Sequence, residues 1–312
     1  MTGRIKQALK NYVRLGPLIT LAQLCLAHMT NIRCRMFCWH LVIRPFFSWV
    51  PHKFTTKTQF GAIMSGNTKD LIQRYIYYFG LWEPNLTYFL SRRLEAGDVF
   101  VDVGSNIGYF TLLASRFVGQ NGKVIAIEAS PRIFAKLKEH LSRNNITNVR
   151  AVNVAVSDQP GSLALFSGPP DNIGRASILN DFEGMQECEI AALPLHQILL
   201  NGEAKRTRII KIDVEGAEWM VVKGMVDHFG DYHDNVEIII EISPDKLKRQ
   251  GKTPEDIFAI FKRAGFNAFS LENDYSPKQY ITCGQYSNPR RFTGLVMTDM
   301  DLVFSKRDTD ML

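Results

Sequence analysis

A lysine and four carboxylates, set around the ends of apolar runs, are the residues of this chain best suited to chemistry. In RIIKIDVEGAE, residues 208–218, Lys211 and Asp213 lie two apart and so share one face of an extended strand. Asp213 closes that run, and a carboxylate so placed can take a proton from a hydroxyl, a contribution of roughly 10²–10⁴-fold. Glu215 and Glu218 come next, at the start of a helical stretch where carboxylates also favour the helix dipole. Asp213, Glu215 and Lys211 are therefore the candidate catalytic residues, whereas Glu218 reads as a helix-terminus acid. Glu241 closes the next apolar run, IIIE, beside Asp213 in the usual order of such a sheet. The pair could hold a hard divalent cation against an acceptor oxygen, but two oxygens are too few for a ligand set and no metal ligand is assigned.

A second group of residues points to a bound molecule. VFVDVGSNIGYF, residues 99–110, runs from an apolar strand into a turn bracketed by Gly104 and Gly108. It is not the dinucleotide fingerprint G-x-G-x-x-G, because Asn106 stands where the second glycine belongs. Glu128 follows Gly108 by twenty residues and ends the next strand, so Asp102 and Glu128 fall at the carboxyl ends of neighbouring parallel strands, where open sheets bind ligands. Glycines admit close backbone approach and a terminal carboxylate can accept from a ribose diol. A nucleoside without pyrophosphate suits this arrangement, and S-adenosyl-L-methionine is the expected cofactor, cradled by Asp102, Gly104, Ser105, Asn106, Gly108, Glu128 and Ala129. Ser157 and Asp158 end the third strand, where Asp158 either accepts from the adenine amino group or simply opens the turn before Gln159-Pro160-Gly161. Glu83, in Trp82-Glu83-Pro84, either reaches the methionine moiety or acceptor, or caps a helix. Residues 167–180, SGPPDNIGRASILN, form a long Gly/Pro-rich connection of the kind that covers a substrate.

The elements that must position these residues alternate from about residue 81 onward. Strands are expected at 98–103, 123–128, 149–156, 208–213, 236–241, 266–272 and 301–306, with helices around 107–117, 131–143, 215–226 and 254–266. Pro131 and Pro254 suit first helical turns. The pattern predicts an α/β fold with a doubly wound, mostly parallel seven-stranded sheet and helices on both faces. It occupies residues 81–307, preceded by a basic, partly apolar helical extension over residues 1–80.

The chain has 312 residues, 46% hydrophobic, enough for a sizeable core. Its net charge of +6 is unevenly placed: residues 1–69 hold ten Lys/Arg and no acid, while the remainder is net −4. Basic residues confined to one end do not form a nucleic-acid reading face; they fit anionic lipid or an acidic partner. The apolar runs 16–29 and 36–50 are too short or too interrupted to span a bilayer. They read either as helices packing on the main domain or as an interfacial segment with Trp39 and Trp49 at headgroup level, a peripheral membrane contact through residues 1–60. The five scattered cysteines fit a reducing compartment, so the expected location is cytoplasmic or membrane-peripheral. Oligomeric state is left open.

VFVDVGSNIGYFTLLAS, KVIAIEASP, NVAVSDQPG, IIKIDVEGAEWMVVKG and IIIEISP, with FGLWEP upstream, resemble in order and spacing the FkbM family of S-adenosylmethionine-dependent methyltransferases. The resemblance covers roughly residues 75–306, and KIDVEGAE is its most specific segment. It departs at ALPLHQILL, residues 192–200, where members carry a Leu-Asp-Asp type segment. The resemblance implies a Rossmann-like fold and O-methylation of a sugar, glycan, lipid-linked or secondary-metabolite hydroxyl. An N-methyl or aminopropyl-type transferase, or a non-catalytic binding module, stands as the alternative.

Overall fold

The computed structural model describes residues 20–312 except 22, 25, 27–28, 30, 45–50, 170, 173, 175, 180–184, 201 and 283–285. Trp49, Cys25 and Cys283 thus lie outside the described residues. The chain divides into two compact units, residues 1–82 with 275–285, and residues 83–274 with 286–312.

In the first unit, Asn31 caps the helix Ile32–Cys38 by accepting from the backbone N–H groups of Arg33 and Cys34, and the helix continues as a π turn, Trp39–Ile43. A hairpin that the sequence reading did not mark follows: β1, Lys53–Lys57, pairs antiparallel with β2, Ile63–Asn67. Asp70 then caps the helix Leu71–Phe79, which ends at the left-handed Gly80. That helix supplies aromatic rings to the unit's core, with Phe79 at 5.0 Å from Trp39 and Tyr75 at 4.5 Å from Tyr280, centroid to centroid. Trp39 is itself buried there. Its ring faces the unit's interior, not a headgroup layer. No helix among the described residues is long and apolar enough to cross a membrane.

The second unit is built on one large sheet. Its strands are β3 (Val99–Val103), β4 (Lys123–Ile127), β5 (Val149–Val152), β9 (Thr207–Ile212), β10 (Glu237–Ile242), β11 (Asn267–Leu271), β12 (Arg290–Arg291) and β13 (Met300–Ser305), in the spatial order β12-β11-β13-β10-β9-β3-β4-β5. From β3 the chain winds outward through β4 to β5, then returns to the other side of β3 for β9 and β10. Right-handed crossovers therefore send the connecting helices to opposite faces. β13 alone among the central strands runs backward, antiparallel to both β10 and β11. This is the expected Rossmann-like, mostly parallel arrangement, with the two-residue β12 as an eighth, marginal strand. Val101, Val103, Ile210, Ile212, Ile238 and Ile240 form the apolar centre, packed with Val221, Val222, Ile257 and Phe261 from helices Glu218–Met225 and Pro254–Arg263.

One expected strand divides in two. The run 149–156 leaves the large sheet after Val152, because Asn153 Nδ2 donates to the carbonyls of Glu128 (2.7 Å) and Ala129 (2.9 Å). Ala155–Val156 (β6) then pairs with β8 (Gln186–Leu193), which also pairs antiparallel with β7 (Gly161–Phe166).

Candidate active site

The glycine turn is closed on itself. Gly104 and Ser105 both donate their N–H to the Ile127 carbonyl at 2.9 Å, Asn106 N–H donates to Glu128 Oε2 at 2.9 Å, Ile107 N–H to Asn106 Oδ1, and Gly108 N–H to the Ser105 carbonyl. Five consecutive backbone donors are thus consumed within the turn and the end of β4. A pyrophosphate cradle needs such donors aimed outward. This turn instead offers acceptors: Asp102 Oδ1 and Ser105 Oγ are buried without a hydrogen-bond partner, while Asp102 Oδ2 accepts from Thr111 Oγ1 at 2.6 Å. Glu128 braces the turn with both oxygens, Oε1 accepting from Ser130 N–H at 2.9 Å. Burial pushes its carboxyl up to about 7 against those two hydrogen bonds. Burial likewise raises Asp102, more than Lys211 and Thr111 lower it. Ala129 lies beyond Glu128, its carbonyl held by Asn153.

The end of β9 abuts this turn. Asp213 N–H donates to the Val103 carbonyl at 3.0 Å, and a Cβ on Gly104, whose φ is +78°, would lie 1.8 Å from the Asp213 carbonyl oxygen. Only glycine lets the two segments meet. Lys211 is opposite Asp102 in the β3–β9 register and is almost fully buried; its Nζ donates to Asp213 Oδ2 at 2.7 Å. Burial would lower the ammonium's pKa, but the nearby carboxylates of Asp213, Asp102 and Glu83 outweigh it and raise the value above that of a free lysine. The Asp213 side chain remains 40% exposed. It is the accessible member of an ion pair whose lysine is buried.

Two further carboxyls face Asp213 from the other side. Glu241 on β10 is directly opposite Asp301 on β13. Burial raises Glu241 well above an ordinary glutamate, with Asp213 and Asp301 adding to the effect. Asp301 is raised to about 6 by burial, opposed by a hydrogen bond from Asn273. Asp301 escaped the sequence reading, although it has the same signal as Asp213, an acid at the edge of an apolar strand. It opens its strand instead of closing it, and only the reversal of β13 brings that opening to the sheet's carboxyl edge.

Glu215 is ion-paired with Lys246. Lys246 also escaped the sequence reading: it is buried in the short helix Pro244–Arg249, and its burial is what distinguishes it from the exposed basic residues that follow it there. Glu218 is buried, with Oε1 accepting from Gly216 N–H at 3.1 Å and Oε2 without a partner. Burial lifts it to about 8. Glu83 is buried in a left-handed conformation (φ +40°) at the start of helix Pro84–Arg93 and makes no side-chain cap. Asp158 accepts from Lys223 Nζ at 2.5 Å and from the hydroxyl of buried Ser157 at 3.3 Å, and the Lys223 contact lowers its pKa.

The described part of the 167–180 connection touches both turns. Ser177 Oγ donates to the Glu215 carbonyl at 2.7 Å, Leu179 lies over Gly216, and Gly174 packs on the Asn106 side chain. By contrast ALPLHQILL turns inward, with Leu195, Ile198 and Leu199 in the core. Among the described residues no group of three or more His, Cys, Asp or Glu is arranged to hold a metal ion.

The family model described as the methyltransferase FkbM domain matches residues 102–268, more than half of the chain. Methyltransferase 1 of Beauveria bassiana is 31% identical over 164 residues, 47% of this chain and 65% of that protein. The hexuronic acid methyltransferase AglP of Haloferax volcanii is 27% identical over 182 residues, covering 58% of this chain and 69% of that protein. The 31-O-demethyl-FK506 methyltransferase FkbM of Streptomyces tacrolimicus is 30% identical over 162 residues, 43% of this chain and 62% of that protein. The match thus spans less than two thirds of the Beauveria and Streptomyces relatives' own length.

Proposed function

Because this chain belongs to the FkbM methyltransferase family, and is an S-adenosylmethionine-dependent methyltransferase, we propose that it methylates a hydroxyl on a sugar, glycan, lipid-linked or secondary-metabolite acceptor, with Asp213 as the base. The observation that carries this reading is the position of Asp213, half-exposed, bonded to a buried lysine and in backbone contact with the glycine turn.

The cofactor fits the turn on two counts. Its phosphate-free nucleoside asks for no outward backbone donors, and the unpartnered Asp102 Oδ1 and Ser105 Oγ can meet polar hydrogens that it brings. Asp102, Ser105, Asn106 and Glu128, with the backbone of Gly104, Gly108 and Ala129, would hold it; Glu128 keeps lone pairs for ribose hydroxyls. When bound, S-adenosylmethionine would supply an electrophilic methyl carbon, whose bond to the sulfonium breaks as the sulfur leaves as the neutral thioether of S-adenosylhomocysteine. The chain's own residues orient the acceptor and manage its proton. The acceptor hydroxyl lies against Asp213, whose free oxygen takes the proton as the acceptor oxygen forms its new bond. Lys211 stays charged and fixes Asp213 Oδ2, so that the other oxygen is presented to the acceptor. Glu241, held well above an ordinary glutamate by burial, donates a hydrogen bond to one of the acceptor's remaining oxygens, and Asp301 beside it accepts from another hydroxyl. Glu83, Glu215, Ser157 and Asp158 serve the walls of the site, Glu215 through its pair with Lys246. Relatives named for a hexuronic acid and for 31-O-demethyl-FK506 support an oxygen acceptor.

The test is incubation of the purified chain and methyl-labelled S-adenosylmethionine with fractionated extracts, followed by linkage analysis of the labelled product. An ether-linked methyl group on an oxygen is expected. Label on nitrogen would move the reading to an amine acceptor, which the acidic wall could also hold; cofactor binding with no labelled product from any fraction would favour a binding module.

A further inference from the structure

The helix Ile32–Cys38 and its continuation Trp39–Ile43 carry apolar residues on two faces. Cys38, Trp39 and Ile43 are buried inside the first unit. Phe37 and Leu41, one helical turn apart, point outward at 63% and 56% exposure. Arg33 lies one turn before Phe37 and Arg44 one turn after Leu41, and both are exposed. Ile32, Leu21 and Leu24 add further exposed apolar side chains in the same unit.

Two large apolar groups bracketed by arginines, on a stretch too short to span a bilayer, have the layout of a segment lying in the membrane interface. We propose that this face docks the chain on an anionic lipid bilayer, with Phe37 and Leu41 entering the acyl boundary and Arg33 and Arg44 meeting headgroup phosphates. Charge selects this occupant. Residues 1–69 hold ten Lys/Arg and no acid, so a second copy docking face to face would bring like charges together, whereas an anionic surface attracts them. Long basic side chains bury their stems and keep their heads at the phosphates, which suits their place at both ends of the stripe. The inference stands apart from the identity of the methyl acceptor.

The full-length chain is tested by flotation with vesicles of pure phosphatidylcholine and of phosphatidylcholine mixed with phosphatidylglycerol, at low and high salt. Flotation with the anionic vesicles alone, weakened at least about tenfold by high salt, is expected. Phe37→Glu with Leu41→Glu should reduce vesicle partitioning by at least about tenfold. The same double variant should keep the parent's thermal melt and its binding of S-adenosylhomocysteine; Phe37→Ser with Leu41→Ser serves if the acidic version does not fold. No flotation with anionic vesicles overturns the proposal. So does undiminished flotation of the double variants, which would assign binding to charge alone. A chain that is dimeric in solution, made monomeric by these variants and indifferent to vesicles, would give the face to a second copy.

Discussion

In the proposed site Asp213 serves the acceptor and Glu128 the cofactor, so the two should fail in different ways when altered. Asp213→Asn keeps the shape of the side chain and removes its capacity to take a proton, so kcat should fall by at least roughly 10²-fold while affinity for S-adenosylhomocysteine stays within error. Turnover within threefold of the parent would leave Asp213 with no more than a shaping role at the strand end. Chelator is expected to leave the parent's rate unchanged, since the Lys211 ammonium already supplies positive charge at Asp213; a loss restored by magnesium would instead pair Asp213 with Glu241 about a cation. Glu128→Ala acts on the cofactor side. It removes the acceptor for ribose hydroxyls and strands the Asn106 and Ser130 N–H groups. At pH 8, above the value of about 7 to which burial raises Glu128, affinity should drop by about one to two decades, as expected for hydrogen bonds to a charged group of roughly 1.5–3 kcal/mol, and the melting temperature should fall with it. Calorimetric titration alongside a thermal melt separates the two effects, and an unchanged affinity in a folded variant would remove Glu128 from the site.

At the scale of elements, the junction between the glycine turn and the end of β9 would set the spacing between the proposed cofactor and the proposed base. Gly104→Ala places a methyl group inside the Asp213 backbone at a left-handed φ that itself costs about 1–2 kcal/mol. Both cofactor affinity and turnover should be lost together, with the two segments forced apart; retention of either at the parent's level would show that the junction is compliant. The elements around this junction were legible in the sequence, because β3, β4, β9 and β10 are short apolar runs, each with an acid at or next to its end. What was not legible depended on tertiary context. Asn153 breaks a run that looks continuous, and its reason is the pair of carbonyls it meets on another strand's exit. The hairpin of β1 and β2 is polar and rich in Thr and Gly, with only a faint alternation, and so reads as loop. Asp301 and Lys246 needed knowledge of strand direction and of burial, neither of which a linear pattern carries. The turn's chemistry was visible as types and spacing; that its donors are all satisfied internally was not.

For the whole second unit, buried carboxyls make stability depend on pH in an unusual sense. Glu128, Glu218 and Asp301 are raised to about 7, 8 and 6, and Glu241 is raised as well. In the unfolded chain such groups lose their protons near pH 4 to 4.5. Between that range and the folded values only the folded chain keeps them, so stability is greatest on the acidic side and is lost as pH rises toward 8. Urea midpoints at pH 5, 6.5 and 8 should fall in that order, and Glu218→Gln should flatten the upper part of the fall. A midpoint that climbs over this range would contradict the buried, protonated state of these groups. The reversed strand carries a different consequence, one of timing. Residues 99–128, which form the glycine turn, are made well before β13, and β13 must slide between β10 and β11, which are already made when it appears. Until it arrives, those two strands have no common ladder and Asp301 is missing from beside Glu241. A nascent chain can therefore form its glycine turn before Asp301 stands beside Glu241, and β13 acts as a clasp on strands made before it.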